Sequence, residues 1–182
     1  FTGWEHFTTA HPDNSPFSFL LYGDSRALVK VHSKLAGMMK KDSVEYDSRF
    51  VVHTGDIVSY GYMWDLWQNN FFVPASSMMQ TVPIFPSIGN HEINQKLYFD
   101  YFALPHNESW YSFTYGNADF YALNSNISMS TNSEQYKWFE EELKKSKSKW
   151  KIVFFHHPPY SCAPPRKPGN AKVRKYIVPL ME

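Results

Sequence analysis

The sequence predicts an α/β protein built as a layered β-sandwich of mixed sheets flanked by helices, and three observations lead there. Short apolar runs alternate with helical patterns in the first half of the chain. Two aromatic-rich runs joined by a turn form a hairpin signal in the second half. Several apolar runs stop on Asp or His, as strands do when they deliver polar side chains to one edge of a sheet. Strand–helix repeats give parallel pairing and hairpins add antiparallel pairing, so mixed sheets follow.

Taken in order, residues 1–16 are polar and aromatic with two prolines and form a lead-in arm ahead of a domain over 17–182. A strand at 17–23 is followed by Ser25-Arg26 and a helix to Lys41, with Leu28, Val31, Leu35 and Met38 sharing a face. A second strand at 50–54 ends in Gly55-Asp56, and a helical stretch rich in aromatics and Met runs from Trp64 to Met79. The third strand, 82–88, turns at Gly89, and a short helix spans 94–103. Trp110–Tyr115 and Phe120–Asn124 flank the turn Gly116-Asn117-Ala118-Asp119 and make the hairpin. A helix from Ser133 to Lys147 is capped by Asn132 or Ser133, with acids early and lysines late. A strand at 151–155, a Pro-rich loop from Pro158 to Pro168 and a helix from Asn170 complete the chain.

Composition narrows the function classes. With 43% hydrophobic residues, 182 residues fill one substantial core, and 18% aromatics supply large rigid packing units. A net charge of +1 provides no general field for nucleic acid, so no nucleic-acid partner is expected, and any anion affinity must be local. No run is long and apolar enough to span a membrane. The single Cys162 excludes an intrachain disulfide framework. The chain opens on Phe1 rather than Met, which fits a trimmed or mature product, and a secreted or periplasmic location is expected. The oligomeric state is not set by the sequence.

The candidate site lies at the strand ends. Gly23-Asp24 and Gly55-Asp56 each place a carboxylate after a glycine that permits a sharp reversal. Gly89-Asn90-His91-Glu92 adds an amide oxygen and an imidazole, and Val153-Phe154-Phe155-His156-His157 ends in two histidines. Hard oxygen and nitrogen donors gathered on one sheet edge suit a metal centre. Adjacent strand residues point to opposite faces, so only one of His156 and His157 reaches that centre; the Val-x-x-His spacing and the following Pro158 favour His156. His32 supplies a nitrogen ligand, a substrate contact or a plain helix-surface histidine.

These segments, Gly23-Asp24-Ser25-Arg26, His53-Thr54-Gly55-Asp56, Gly89-Asn90-His91-Glu92 and Val153 to Tyr160, resemble the calcineurin-like metallophosphoesterases, and within them the purple acid phosphatase-like branch. The resemblance covers about 17–182. It implies hydrolysis of phosphate esters by a metal-activated hydroxide at a binuclear centre of two divalent or trivalent ions, Fe, Mn or Zn. Asp24 would bind the first ion, Asp56 would bridge both, and Asn90 and His156 would bind the second. His91 would act as general acid or stabilise developing charge, with Glu92 orienting a histidine. Arg26 stands where the family carries a metal ligand or glycine, so it either grips a phosphoryl oxygen or forms a salt bridge with Asp24. Ser59 occupies the place of the purple enzymes' iron-ligating tyrosine. No histidine follows His157, whereas the family closes its site with Gly-His-x-His, so the chain is expected to be C-terminally incomplete. The alternative is a non-catalytic member that serves as a binding or scaffolding domain.

Overall fold

Strand β2 (Ser48–His53) organises the first half of the protein, because Phe50 and Val52 point to one side, Val51 and His53 to the other, and all four are buried. A computed structural model describes residue 9 and residues 15–93 and 95–182; the arm expected over 1–16 lies outside these apart from residues 9, 15 and 16. β1 (Ser18–Tyr22) and β3 (Ile84–Pro86) pair with β2 in parallel, one on each side. Their register aligns Tyr22 with His53 and His53 with Pro86, so three strands end level and their turns emerge side by side.

The hairpin forms as the sequence predicts, with β4 (Tyr111–Tyr115) antiparallel to β5 (Ala118–Ala122). β6 (Trp150–Phe154) joins β5 in parallel, so the second sheet is mixed while the first is wholly parallel. The sheets meet through Phe50, Val52, Phe113 and Phe120, with Phe19 and Phe85 against them. Phe85 stacks on Phe113 at 4.0 Å between centroids, and Phe50 meets Phe120 edge-on at 5.1 Å. Such pairs add about 0.5–1.5 kcal/mol each beyond area burial, which is where much of the aromatic content is used.

Helices close both outer faces. α1 (Val29–Glu45) and the rod formed by α2 (Trp64–Leu66), a π-helical segment Trp67–Phe72 and α3 (Val73–Met79) cover the first sheet with α4 (Lys96–Tyr101). α5 (Glu134–Lys145) and the last helix, π-helical over Val173–Ile177 and continuing as α6 (Val178–Met181), cover the second through Tyr121, Phe139, Val173 and Ile177. Ser133 caps α5, accepting the Tyr136 N–H at 3.3 Å. No helix of the described residues is long and apolar enough to cross a membrane.

The shared face of α1 does not pack. Leu28, Val31 and Met38 are 74, 59 and 54% exposed, and the buried stripe is His32, Ala36, Met39 and Ser43. His32 fixes this rotation: its Nδ1–H donates to the Asn70 carbonyl in the π-helical segment at 2.8 Å, and its Nε2 lies 3.4 Å from the Tyr22 hydroxyl. It is therefore a buried packing histidine, neither a surface residue nor part of the cleft, and burial pushes its pKa down.

Candidate metal centre

The turns after β1 and β2 are stitched together before any side chain is considered. The Asp24 N–H donates to the Gly55 carbonyl at 3.0 Å and the Arg26 N–H to the Asp56 carbonyl at 3.1 Å. Both aspartates sit in the left-handed region at φ 54°, which Asp tolerates better than most residues. Gly55 is also left-handed, at φ 90°, but Gly23 is not. Its value is space, since a Cβ there would lie 2.0 Å from the Thr54 hydroxyl.

Glu92 holds this assembly from beneath. Its fully buried carboxylate accepts three backbone N–H bonds, from Asp56 at 2.9 Å, Gly89 at 3.0 Å and Val58 at 3.0 Å. The sequence expectation that it orients a histidine is corrected: it fixes the backbone that carries Asp56 and Asn90. Burial pushes its pKa up to about 7, with the charge of Asp56 adding to the rise and the N–H groups opposing it. Two further supports have no sequence signal: the Tyr98 and Tyr111 hydroxyls both donate to the Pro86 carbonyl, at 3.0 and 2.8 Å, and pin the end of β3.

Asp24, Asp56, Asn90 and His156 come together above this floor. His156 follows β6, and its Nδ1–H donates to the Thr54 carbonyl at 3.0 Å, which leaves the Nε2 lone pair of the neutral ring facing inward. There it meets Asn90 Oδ1 at 3.1 Å and Asp56 Oδ1 at 3.3 Å. Donor atoms of Asp24, Asp56 and His156 all lie within 4.8 Å of one another. An ion with bonds of about 2.1 Å keeps neighbouring ligand atoms roughly 3.0–3.4 Å apart, which the His156–Asn90 and His156–Asp56 separations match. Carboxylate and amide oxygens gathered at a ring nitrogen are a donor set that a cation takes up.

His157 turns away. Its Nδ1 accepts from the Ser125 hydroxyl at 2.8 Å, its N–H donates to the same oxygen at 3.0 Å, and burial pushes its pKa down. His53 is structural as well: its Nδ1 accepts the Gly55 N–H at 3.1 Å, so Nε2–H donates to Ser25 Oγ at 2.9 Å. Complete burial, then the charges of His32 and His156, push its pKa down to about 3.

The Arg26 guanidinium and the His91 imidazole approach Asp56 Oδ2. The Arg26 Nε–H donates to Asp56 Oδ2 at 2.8 Å, so the salt bridge the sequence suggested with Asp24 is made with Asp56 instead. The reason is the turn geometry, which leaves Asp24 exposed and Asp56 buried beside the guanidinium. The His91 N–H donates to Asp56 Oδ1 at 3.2 Å, its Nδ1–H to the Ser59 carbonyl at 2.5 Å, and its Nε2 lies 3.8 Å from Asp56 Oδ2. Ser59 also ties Arg26, donating its hydroxyl to the Arg26 carbonyl at 2.9 Å. Exposed Tyr60, Tyr62 and Trp64 extend from this side, with the Tyr60 ring 6.4 Å from that of His91.

Comparisons with known proteins show the family and the fold. The family model described as Calcineurin-like phosphoesterase matches residues 19–178. Purple acid phosphatase 13 of Arabidopsis thaliana is 33% identical over 120 residues, 57% of this chain and 21% of the relative. Fe(3+)-Zn(2+) purple acid phosphatase 12 of the same plant is 26% identical over 175 residues, 80% of this chain and 35% of the relative. The chain thus spans well under half the length of the curated relatives it matches. Among solved structures, purple acid phosphatase PPD1 from yellow lupin seeds has a TM-score of 0.73 at 18% identity, covering 93% of this chain and 37% of that one. GAP50, described as the anchor in the inner membrane complex of Plasmodium, has a TM-score of 0.72 at 18% identity, covering 91% and 62%. At that identity both report the fold alone.

Proposed function

The chain belongs to the calcineurin-like phosphoesterase family, and we propose that it hydrolyses phosphate esters at a metal centre formed by Asp24, Asp56, Asn90 and His156. The observation that carries this reading is His156 Nε2 meeting Asn90 Oδ1 at 3.1 Å and Asp56 Oδ1 at 3.3 Å, with Asp24 close by. Ions of Fe, Mn or Zn at such a centre lower the pKa of water and neutralise phosphoryl oxygens. The name of the Fe(3+)-Zn(2+) relative supports Fe and Zn. By the family pattern a pair of ions would be held there, with Asp56 the residue common to both.

The remaining residues act on the substrate. Nδ1 of His91 is anchored on Ser59, which aims Nε2 toward the Arg26 side of Asp56, where a proton on it reaches a leaving-group oxygen. Arg26 presents a permanent positive charge to a phosphoryl oxygen. Glu92 keeps Asp56 and Asn90 in register by fixing both of their turns.

The test is hydrolysis of an aryl phosphate monoester and diester by full-length protein. Turnover should appear with Mn²⁺, Fe²⁺ or Zn²⁺, vanish on chelation and return on adding the ion, and fall about 100-fold or more in His156→Ala. Folded, ion-saturated protein that turns over neither ester would instead favour a non-catalytic binding domain.

A further inference from the structure

We propose that Arg26 takes the place of one of the two cations, so that the centre holds a single metal ion beside a guanidinium. This rests on the reading of the cleft as a phosphoesterase site. The two oxygens of Asp56 face different chemistry. Oδ1 faces His156 Nε2 at 3.3 Å, the nitrogen that also meets Asn90 Oδ1 at 3.1 Å, whereas Oδ2 receives Arg26 Nε at 2.8 Å. An ion on the Oδ2 side would meet the Arg26 guanidinium, which stands where the family carries a metal ligand or glycine. Arginine stays protonated and has no lone pair, so it cannot be a ligand there, yet it supplies positive charge to a carboxylate with no solvent exposure.

The placement is built into the backbone. The Arg26 N–H donates to the Asp56 carbonyl at 3.1 Å, and the Arg26 carbonyl accepts the Ser59 hydroxyl at 2.9 Å. An ion on that side would have to displace a tethered guanidinium from a buried charge, which is costly. Only Nε is engaged among the described residues, and the side chain is 29% exposed. The terminal nitrogens of the fork are therefore left for a phosphoryl oxygen. Arg26 thus covers two duties of a second ion, balancing Asp56 and gripping phosphate.

The test counts ions on full-length protein stripped by chelation and reloaded with Mn²⁺, with electron paramagnetic resonance and inorganic phosphate binding measured on the same samples. The expected result is one ion per chain with the spectrum of an isolated ion. Arg26→Gln should keep that count and weaken phosphate binding about tenfold or more. Arg26→Lys retains a charge for Asp56 and serves if Arg26→Gln fails to fold; it too should keep one ion and lose phosphate affinity. Two spin-coupled ions in the unmutated protein, or phosphate affinity unchanged in the folded variants, overturn the inference. Two coupled ions with turnover leave the phosphoesterase reading standing. One ion and phosphate binding without turnover on any ester sinks that reading alone, and no ion at all sinks both.

Discussion

The Gly23-Asp24 and Gly55-Asp56 turns share a dipeptide, a backbone φ of 54° at the aspartate and adjacent parallel strands, yet they produce opposite environments. Asp24 leaves an edge strand and is exposed. Asp56 leaves the central strand and is fully buried. Position in the sheet, not local sequence, sets the difference. A buried carboxylate must be matched by cations and donors, and Arg26 and the His91 N–H are drawn around Asp56 accordingly. Asp24 completes the ring of donors from the solvent side. One turn organises the site and the other joins it.

Replacing each aspartate by alanine would test that contrast most strongly. Asp56→Ala strands Arg26 and should cost about 3–5 kcal/mol of stability along with ion binding. Asp24→Ala should stay within about 0.5 kcal/mol of the parent in denaturant unfolding while weakening ion binding. Equal losses of stability in both variants would break the comparison.

Next in size is Glu92→Ala, which strips the acceptor from three backbone N–H groups under the Asp56 turn. It should cost about 2–4 kcal/mol and loosen ion binding without touching the ion. Hydrogen exchange at the Asp56, Val58 and Gly89 amides would show whether the loss is local to them.

Acid then probes the strand end beneath Asp56. The pKa of His53 is pushed down to about 3 in the fold from an ordinary 6.5, so the unfolded chain binds the extra proton between those values. Stability contributed by the neutral ring is present above pH 6.5 and is lost as pH falls toward 3. The slope from this group is about 1.4 kcal/mol per pH unit. Thermal melts from pH 7 downward should steepen accordingly, and His53→Asn should flatten them; an unchanged slope would contradict the assignment.

The smallest effect is expected at the exposed face of α1, where Val31→Gln or Met38→Gln should change stability by no more than about 0.5 kcal/mol. A loss of several kcal/mol would restore the face that the sequence pattern suggested.

That helix shows where sequence reasoning stops. Leu28, Val31, Leu35 and Met38 make an apolar stripe in the sequence, but the helix is rotated by His32, whose partner is a carbonyl in the distant π-helical segment. No residue pattern encodes a carbonyl freed for such a bond. The layered fold was legible because strands and helices differ in period, and the hairpin because its turn residues are explicit. The cleft was legible because glycine, aspartate, asparagine and histidine stand at level strand ends. The tethers were not, since Glu92 binds backbone N–H groups, His156 and His91 bind the carbonyls of Thr54 and Ser59, and Arg26 chooses Asp56 over Asp24 through burial. Each depends on positions that only the folded chain brings together.

The most direct test of the central claim, that Asp24, Asp56, Asn90 and His156 converge on a metal ion, is anomalous scattering from crystals of full-length protein loaded with Mn²⁺ or Zn²⁺. The expected result is a strong peak bounded by those four side chains, on the Oδ1 side of Asp56, with His157 turned away toward Ser125. Ion-saturated crystals with no peak among the four, or with the ion held by His157, would contradict it.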